Sequence, residues 1–188
     1  MMNTTLPQSN TVPACTTLGS GVWLAFRHIA GTSAPAVPPP AAGAHLLSVE
    51  FCRRGRHALP AGDYCTIAAD GHAAVSMTAA GADDYYPGAV YEGLQFWIDP
   101  DAQTGSGFLA LMGLDVHGII NYFCAGGPYY CPMGDELAAL VDELWREFDV
   151  SGYASPGELR YAVVRLLYML LQLPYADQMA WYPRAQVD

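Results

Sequence analysis

The chain has 188 residues, 52% of them hydrophobic and 14% charged. That composition excludes a disordered chain and allows either one domain with a full core or a barrel with a small helical appendage. The net charge is −10 and all eight basic residues are arginines, so a chain that grips nucleic acid through its own basic surface is excluded as well.

Residues 1–20 are polar and turn-rich and read as a flexible N-terminal arm. MMNTTLPQSN has neither the basic start nor the apolar stretch of a secretory signal. Val22 to Ile29 is a short apolar run that suits a strand. Gly31 to Ala44 is a Pro/Ala loop, in which Pro38, Pro39 and Pro40 favour an extended conformation and forbid helix. His45 to Cys52 reads as a strand that stops at a turn, Arg53-Arg54-Gly55-Arg56. This is the only basic cluster, and it reads as a solvated turn in preference to a DNA contact. A tight turn at Pro60-Ala61-Gly62-Asp63 leads into a strand through Ile67, and Asp70-Gly71 is a hairpin signal. Ala73 to Met77 is another strand, Asp83 to Gly88 a loop, and Ala89 to Asp99 a longer strand ending before Pro100. Short strands with turns every ~8–12 residues point to an antiparallel barrel or sandwich.

Helical periodicity takes over in the last third. From Met133 to Phe148, Leu137, Leu140, Val141, Leu144 and Phe148 share one face, with Asp142, Glu143, Arg146 and Glu147 opposite. Asp135 and Glu136 suit the positive end of that helix dipole. A second helix begins at Ser155. Ser155 caps it, Pro156 suits the first turn, and Glu158 stands three residues on, as a capping box requires. Only Arg160, Arg165 and Gln172 interrupt the apolar or tyrosine-bearing run from Leu159 to Leu173. Glu158, Arg165 and Gln172 fall in one narrow stripe, and most of the remaining circumference is apolar. Such a helix is buried on two sides, one of which a second copy of the chain can supply. Leu159, Val163, Leu166, Leu167, Leu170 and Leu171 are therefore expected at a dimer interface, where Arg at Leu167 or Leu170 would leave a soluble monomer.

No metal centre or catalytic residue is expected. A cupin metal site needs two histidines one residue apart on a strand, and His45, His57, His72 and His117 include no such pair. Six residues separate Cys124 from Cys131, too many for a zinc knuckle. Cys131 precedes the Met133 helix, but without a wider motif the five cysteines read as reduced, mostly buried thiols of a cytoplasmic protein. No cofactor and no membrane contact are expected either.

Taken in order, five segments resemble the N-terminal sensing domain of AraC-family transcriptional regulators. They are FCRRGRHALPAGDYCTIAA, YYPGAVYEGLQFWIDP, the linker-like NYFCAGGPYY, ELRYAVVRLLYMLLQLP, and the tail Tyr182 to Asp188. The resemblance covers about residues 45–188. It implies an α+β fold: a cupin-like antiparallel β-barrel (a double-stranded β-helix) followed by two C-terminal helices. The implied division is an arm at 1–20, a sensing barrel at 21–130, a helical dimerisation pair at 131–175, and at 176–188 the start of a linker. The implied function is ligand sensing and homodimerisation, not catalysis. An unknown small-molecule effector binds the barrel, and DNA is contacted through a helix-turn-helix half that this sequence lacks. Alternate residues of a strand face opposite ways, so the ligand wall is either Leu94, Phe96 and Ile98 or Gln95 and Trp97. The same choice sets Leu47, Val49 and Phe51 against Ser48, Glu50 and Cys52. Phe51, Tyr64, Gln95 and Trp97 are the candidate ligand-binding residues. The alternatives are a stand-alone cupin-type metalloenzyme and a carbohydrate-binding module.

Overall fold

The computed structural model describes residues 15–34, 45–79, 84–103, 105–151, 155–174 and 180–187. The strands are β1 (Thr16–Gly19), β2 (Val22–Ala30), β3 (Ser33–Ala34), β4 (His45–Ala61), β5 (Tyr64–Ala69), β6 (His72–Ala79), β7 (Asp84–Tyr85), β8 (Val90–Ile98), β9 (Tyr129–Pro132) and β10 (Tyr182–Pro183). The α-helices are α1 (Phe108–Leu111), α2 (Val116–Phe123), α3 (Gly134–Ser151) and α4 (Pro156–Leu170). Among the described residues, no helix is long and apolar enough to cross a membrane.

Strand β4 organises the sheet. Its first part pairs antiparallel with β6 on one side and β8 on the other, and β8 continues through β2 to β1. Its last six residues, Arg56 to Ala61, pair instead with β5, and Ala58 pairs with Tyr85 of β7. One strand thus belongs to two ladders. Among the described residues the sheet is not closed, so the expected cupin-like barrel is not what forms.

The expected turn at Arg53–Arg56 is a bend inside β4, not its end. Register slips between Cys52 and Arg54, as in a β-bulge. Gly55 sits at φ +93°, and its N–H donates to Asp70 Oδ1 at 2.5 Å. A Cβ there would collide with the Val90 carbonyl, so glycine is required by two independent constraints. Asp70-Gly71 likewise differs from expectation. It joins β5 and β6, which pair with different halves of β4, so this turn moves the chain from one ladder to the other.

Other boundaries shift. Thr16–Gly19, assigned to the arm from sequence, is an edge strand against β2; residues 1–14 lie outside the described residues. Ser33–Ala34 of the Pro/Ala loop pairs with β7, while residues 35–44 also lie outside them. The span read as barrel up to residue 130 contains α1 and α2. Asp115 caps α2 by accepting from the Gly118 N–H at 3.0 Å, and Val116, Ile119 and Phe123 turn inward at helical spacing. The linker-like segment before α3 ends α2 and begins β9, which pairs with β6.

The two long helices form as their sequences require. In α3, Leu137, Leu140, Val141 and Trp145 are buried. Ser155 and Glu158 make the full capping box of α4, the Ser155 N–H donating to Glu158 Oε2 at 2.7 Å. The apolar circumference of α4 is consumed inside the chain. Leu159, Val163, Leu166, Leu167 and Leu170 join one core with α3 and with the face of the sheet that carries Leu47, Val49, Leu94 and Phe96. Those five leucine and valine side chains are at most 8% exposed, so they are not a surface for a second copy; of the six expected interface residues only Leu171 is open, at 38%.

The C-terminal segment 180–187, read as the start of a linker, lies back on the sheet. Tyr182 and Pro183 pair with Cys65 and Tyr64. The Thr66 hydroxyl donates to the Ala180 carbonyl at 2.9 Å, the Arg184 N–H to the Asp63 carbonyl at 3.1 Å, and the Tyr85 hydroxyl to the Val187 carbonyl at 3.1 Å.

Candidate functional site

The register of β4 against β8 pairs Val49 with Phe96 and Glu50 with Gln95. Paired residues of an antiparallel ladder share a face. Leu47, Val49 and Phe51 therefore go with Leu94, Phe96 and Ile98 toward the helices. Ser48, Glu50 and Cys52 go with Trp97, Gln95 and Gly93 to the opposite face. Arg27 of β2 stands across from Gly93 on that second face. The bend in β4 brings His57 to the same place, and β7 delivers Asp84.

These side chains form one buried polar network. His57 Nδ1 lies 2.5 Å from Glu50 Oε2, and His57 Nε2 lies 3.6 Å from Asp84 Oδ1. Arg27 approaches Asp84 Oδ2 at 3.4 Å and Gln95 Oε1 at 3.5 Å. The Gln95 amide donates to Ser48 Oγ at 3.0 Å, and the Tyr86 hydroxyl to Asp84 Oδ2 at 3.3 Å. Tyr86 stacks on the His57 ring at 4.8 Å between centroids, and Tyr91 meets its edge at 6.0 Å. Arg27, Glu50 and His57 are each under 5% exposed.

The electrostatics follow from the pairing. Burial opposes a charge on His57, but the Glu50 carboxylate and then Asp84 outweigh it and push its pKa up to about 10. Burial also opposes ionisation of Asp84, yet its bonds to His57 and the charge of Arg27 hold its carboxyl below the usual range. Burial, and then the Glu50 charge, push the Tyr91 hydroxyl well up. With both ring nitrogens directed at carboxylates, the His57 imidazolium has no lone pair to offer as a base. Among the described residues, two buried oxygens, Glu50 Oε1 and the Tyr91 hydroxyl, have no partner at normal hydrogen-bond geometry, although the two side chains interact with each other. A buried polar atom left so costs about 1–3 kcal/mol unless water or a ligand group satisfies it.

Asp84 also faces outward. With Ser33, Pro60 and Tyr85 of the sheet and Arg184 and Val187 of the tail, it lines a cavity of about 240 Å³. Asp84 is therefore shared between the buried network and an open cavity.

Of the four expected ligand residues, the structure brings Gln95 into the network. It places Trp97 on the same face, packed with Ala25 and Leu46. Phe51 is buried on the helix side, its ring 6.0 Å from that of Phe96. Tyr64 is 53% exposed beside the tail. Arg27, His57, Asp84 and Tyr91 were not singled out as ligand residues from the sequence. The available signal was Arg27 and Glu50 inside otherwise apolar strands, since a charge in a buried strand demands a partner. Among the described residues, no three His, Cys, Asp or Glu side chains are placed to hold a metal ion. Burial pushes the Cys52 and Cys131 thiols up, and those of Cys15 and Cys124 to about 11, which removes the reactive thiolate.

The arginine cluster is divided by its position in a strand. The Arg53 guanidinium lies 4.5 Å over the Trp145 ring, and its Nε donates to Asp142 Oδ1 at 2.7 Å, so it ties α3 to the sheet. Arg54 projects outward toward Glu92.

These elements define a two-ladder antiparallel sheet with helices on one face and a buried charged network on the other. Among solved structures, the AraC-like transcriptional activator CuxR is similar to this chain, with a TM-score of 0.53 and 13% identity over 88% of this chain and 57% of that one. At that identity the likeness concerns the fold alone, and the chain spans little more than half the length of that protein. No family model and no curated protein matches the chain.

Proposed function

We propose that the chain is the effector-sensing and dimerisation domain of an AraC-type transcriptional regulator, acting on DNA through a helix-turn-helix half outside this sequence. One observation carries the reading. A fold like that of CuxR has, on the sheet face away from its helices, a polar wall where packing alone would select apolar side chains. A wall of Arg27, Glu50, His57 and Gln95 costs stability to desolvate, and a sensor of a polar metabolite has a use for it.

Dimerisation is proposed through a surface other than the buried leucines. Leu111, Met112, Tyr161 and Tyr168 of α1, its C-terminal end and α4 are 74%, 50%, 62% and 42% exposed, and Leu171 adjoins them in sequence. Leu111, Met112 and Tyr161 line a shallow, mostly apolar groove together with Phe108, Val164 and Arg160. Apolar exposure of this kind marks an interface.

A thermal-shift screen of metabolites tests the sensing role. A polar effector raises the unfolding temperature of the wild-type chain, because it binds the native state alone. Gln95→Ala and Ser48→Ala weaken that shift. A broad panel with no stabilising compound would count against sensing. Sedimentation at about twice the 20.2 kDa chain mass tests the dimer, and an in-frame helix-turn-helix segment beyond Asp188 is the expected genetic companion.

A further inference from the structure

We propose that the cavity between β5, β7 and the C-terminal segment binds a small carboxylate carrying a hydrogen-bond donor at its opposite end, and that the bound ligand clamps residues 180–187 onto the sheet. The inference rests on the sensing reading above and specifies a second site for it, on the other side of Asp84.

The cavity's chemistry defines the ligand. Its volume is about 240 Å³, below the ~300 Å³ at which drug-sized pockets begin, so the occupant is a small metabolite. Ala58, Pro60 and Val187 give it apolar walls suited to a flat or aliphatic body. Two charged residues stand in the lining. Asp84 accepts from Tyr86 and faces Arg27 and His57, which leaves about one of the roughly four acceptor positions of a carboxylate and invites a donor from the cavity side. The charge of Asp84 is already answered within the network, so a donor suffices and a cation is not needed. Arg184 contributes the other end. Its backbone N–H is used by the Asp63 carbonyl, and the residue stands in the cavity lining with its guanidinium unused by any hydrogen bond or ion pair among the described residues. A guanidinium recognises a carboxylate through paired donors.

The site is incomplete without the tail. Arg184 and Val187 come from it and the rest of the lining from the sheet. Among the described residues the tail's hold is modest: a two-residue strand and four long-range hydrogen bonds, donated by Thr66, Tyr85, Arg184 and Ala180, the last to the Tyr130 hydroxyl. A ligand bridging Asp84 and Arg184 binds only the docked tail and must shift it toward that state. Occupancy of the cavity thereby fixes the direction in which the chain leaves the sheet.

The test uses a matched set of probes on the whole chain. 4-Hydroxybenzoate has both the carboxylate and the donor, benzoate lacks the donor, and 4-hydroxybenzamide lacks the charge. The expected order has 4-hydroxybenzoate tightest by about tenfold or more, with slowed hydrogen exchange at the amides of residues 180–187. Arg184→Ala, an exposed substitution, is expected to abolish the preference for 4-hydroxybenzoate over the amide. Tyr85→Phe is expected to speed exchange of the tail and weaken binding. Equal binding of the three probes, binding unchanged by Arg184→Ala, tail exchange indifferent to ligand, or no binding of any probe would each overturn the inference. If another metabolite stabilises the chain while Arg184→Ala and the tail amides remain unaffected, this inference fails and the sensing reading stands.

Discussion

Glu50 and His57 stand seven residues apart in one strand, and the bend between them brings carboxylate and imidazole to 2.5 Å in the interior. Because the folded state raises the His57 pKa to about 10, from an ordinary value near 6.5, it holds that proton more tightly than the unfolded chain does. The stability this contributes is complete below about pH 6.5 and is lost as pH rises through about 10. Asp84 behaves oppositely: its lowered pKa contributes stability above the usual carboxylate range, which is lost as pH falls through its folded value. Urea midpoints are expected to fall steadily from neutral to alkaline pH, and Glu50→Gln to flatten that slope. An alkaline limb equally steep in Glu50→Gln would refute the role of this pair.

Gly55 holds the bend that makes the pair. Alanine there must adopt φ +93° and meet the Val90 carbonyl. Gly55→Ala is expected to lower stability by about 1–3 kcal/mol or more, with loss of the His57 shift seen by NMR titration. Gly62, with open space around its missing Cβ, is the control.

Beside its core leucines and Val141, helix α3 is fastened to the sheet through Trp145, which also meets Phe26 and His28 at centroid distances of 5.8 and 4.6 Å. Trp145→Ala is expected to cost about 3–5 kcal/mol. Arg53→Ala costs about 1 kcal/mol, since its ion pairs are partly exposed and screened. Chemical denaturation of the two variants checks the ranking.

The interface expectation divides into two substitutions. Leu167→Arg places a charge where exposure is 0% and is expected to unfold the chain, not to release a monomer. Tyr161→Arg, at 62% exposure, is expected to leave the circular dichroism spectrum intact while removing the dimer in sedimentation. A dimer that survives Tyr161→Arg combined with Leu111→Arg would place the interface elsewhere.

Features written in neighbouring residues were legible before any fold was known. The Ser155–Glu158 capping box, the α3 stripe and the alternation along β8 are local: a cap reaches three residues and a helix face seven. They prescribed antiparallel strands followed by two helices, though not the open sheet in place of the expected barrel. The two candidate faces of β8 were legible as alternatives, because a period of two names two faces without saying which one meets the helices. The basic run at Arg53–Arg56 misled, since a glycine with polar neighbours signals a turn and a bulge alike.

Partnership was decided by tertiary structure alone. Asp84 meets Arg27 and His57 only because β4 bends between two ladders. The leucines of α4 face inward because the sheet and α3 both reach them, and the tail returns to β5 from more than a hundred residues away. The sequence alone determined the longer strands and the two long helices, β2, the first part of β4, β5, β6, β8, α3 and α4, through short-range periodicity and capping. Which charges are paired, which apolar faces are spent and where a cavity opens depended on long-range approach, because burial and electrostatics act between neighbours in space.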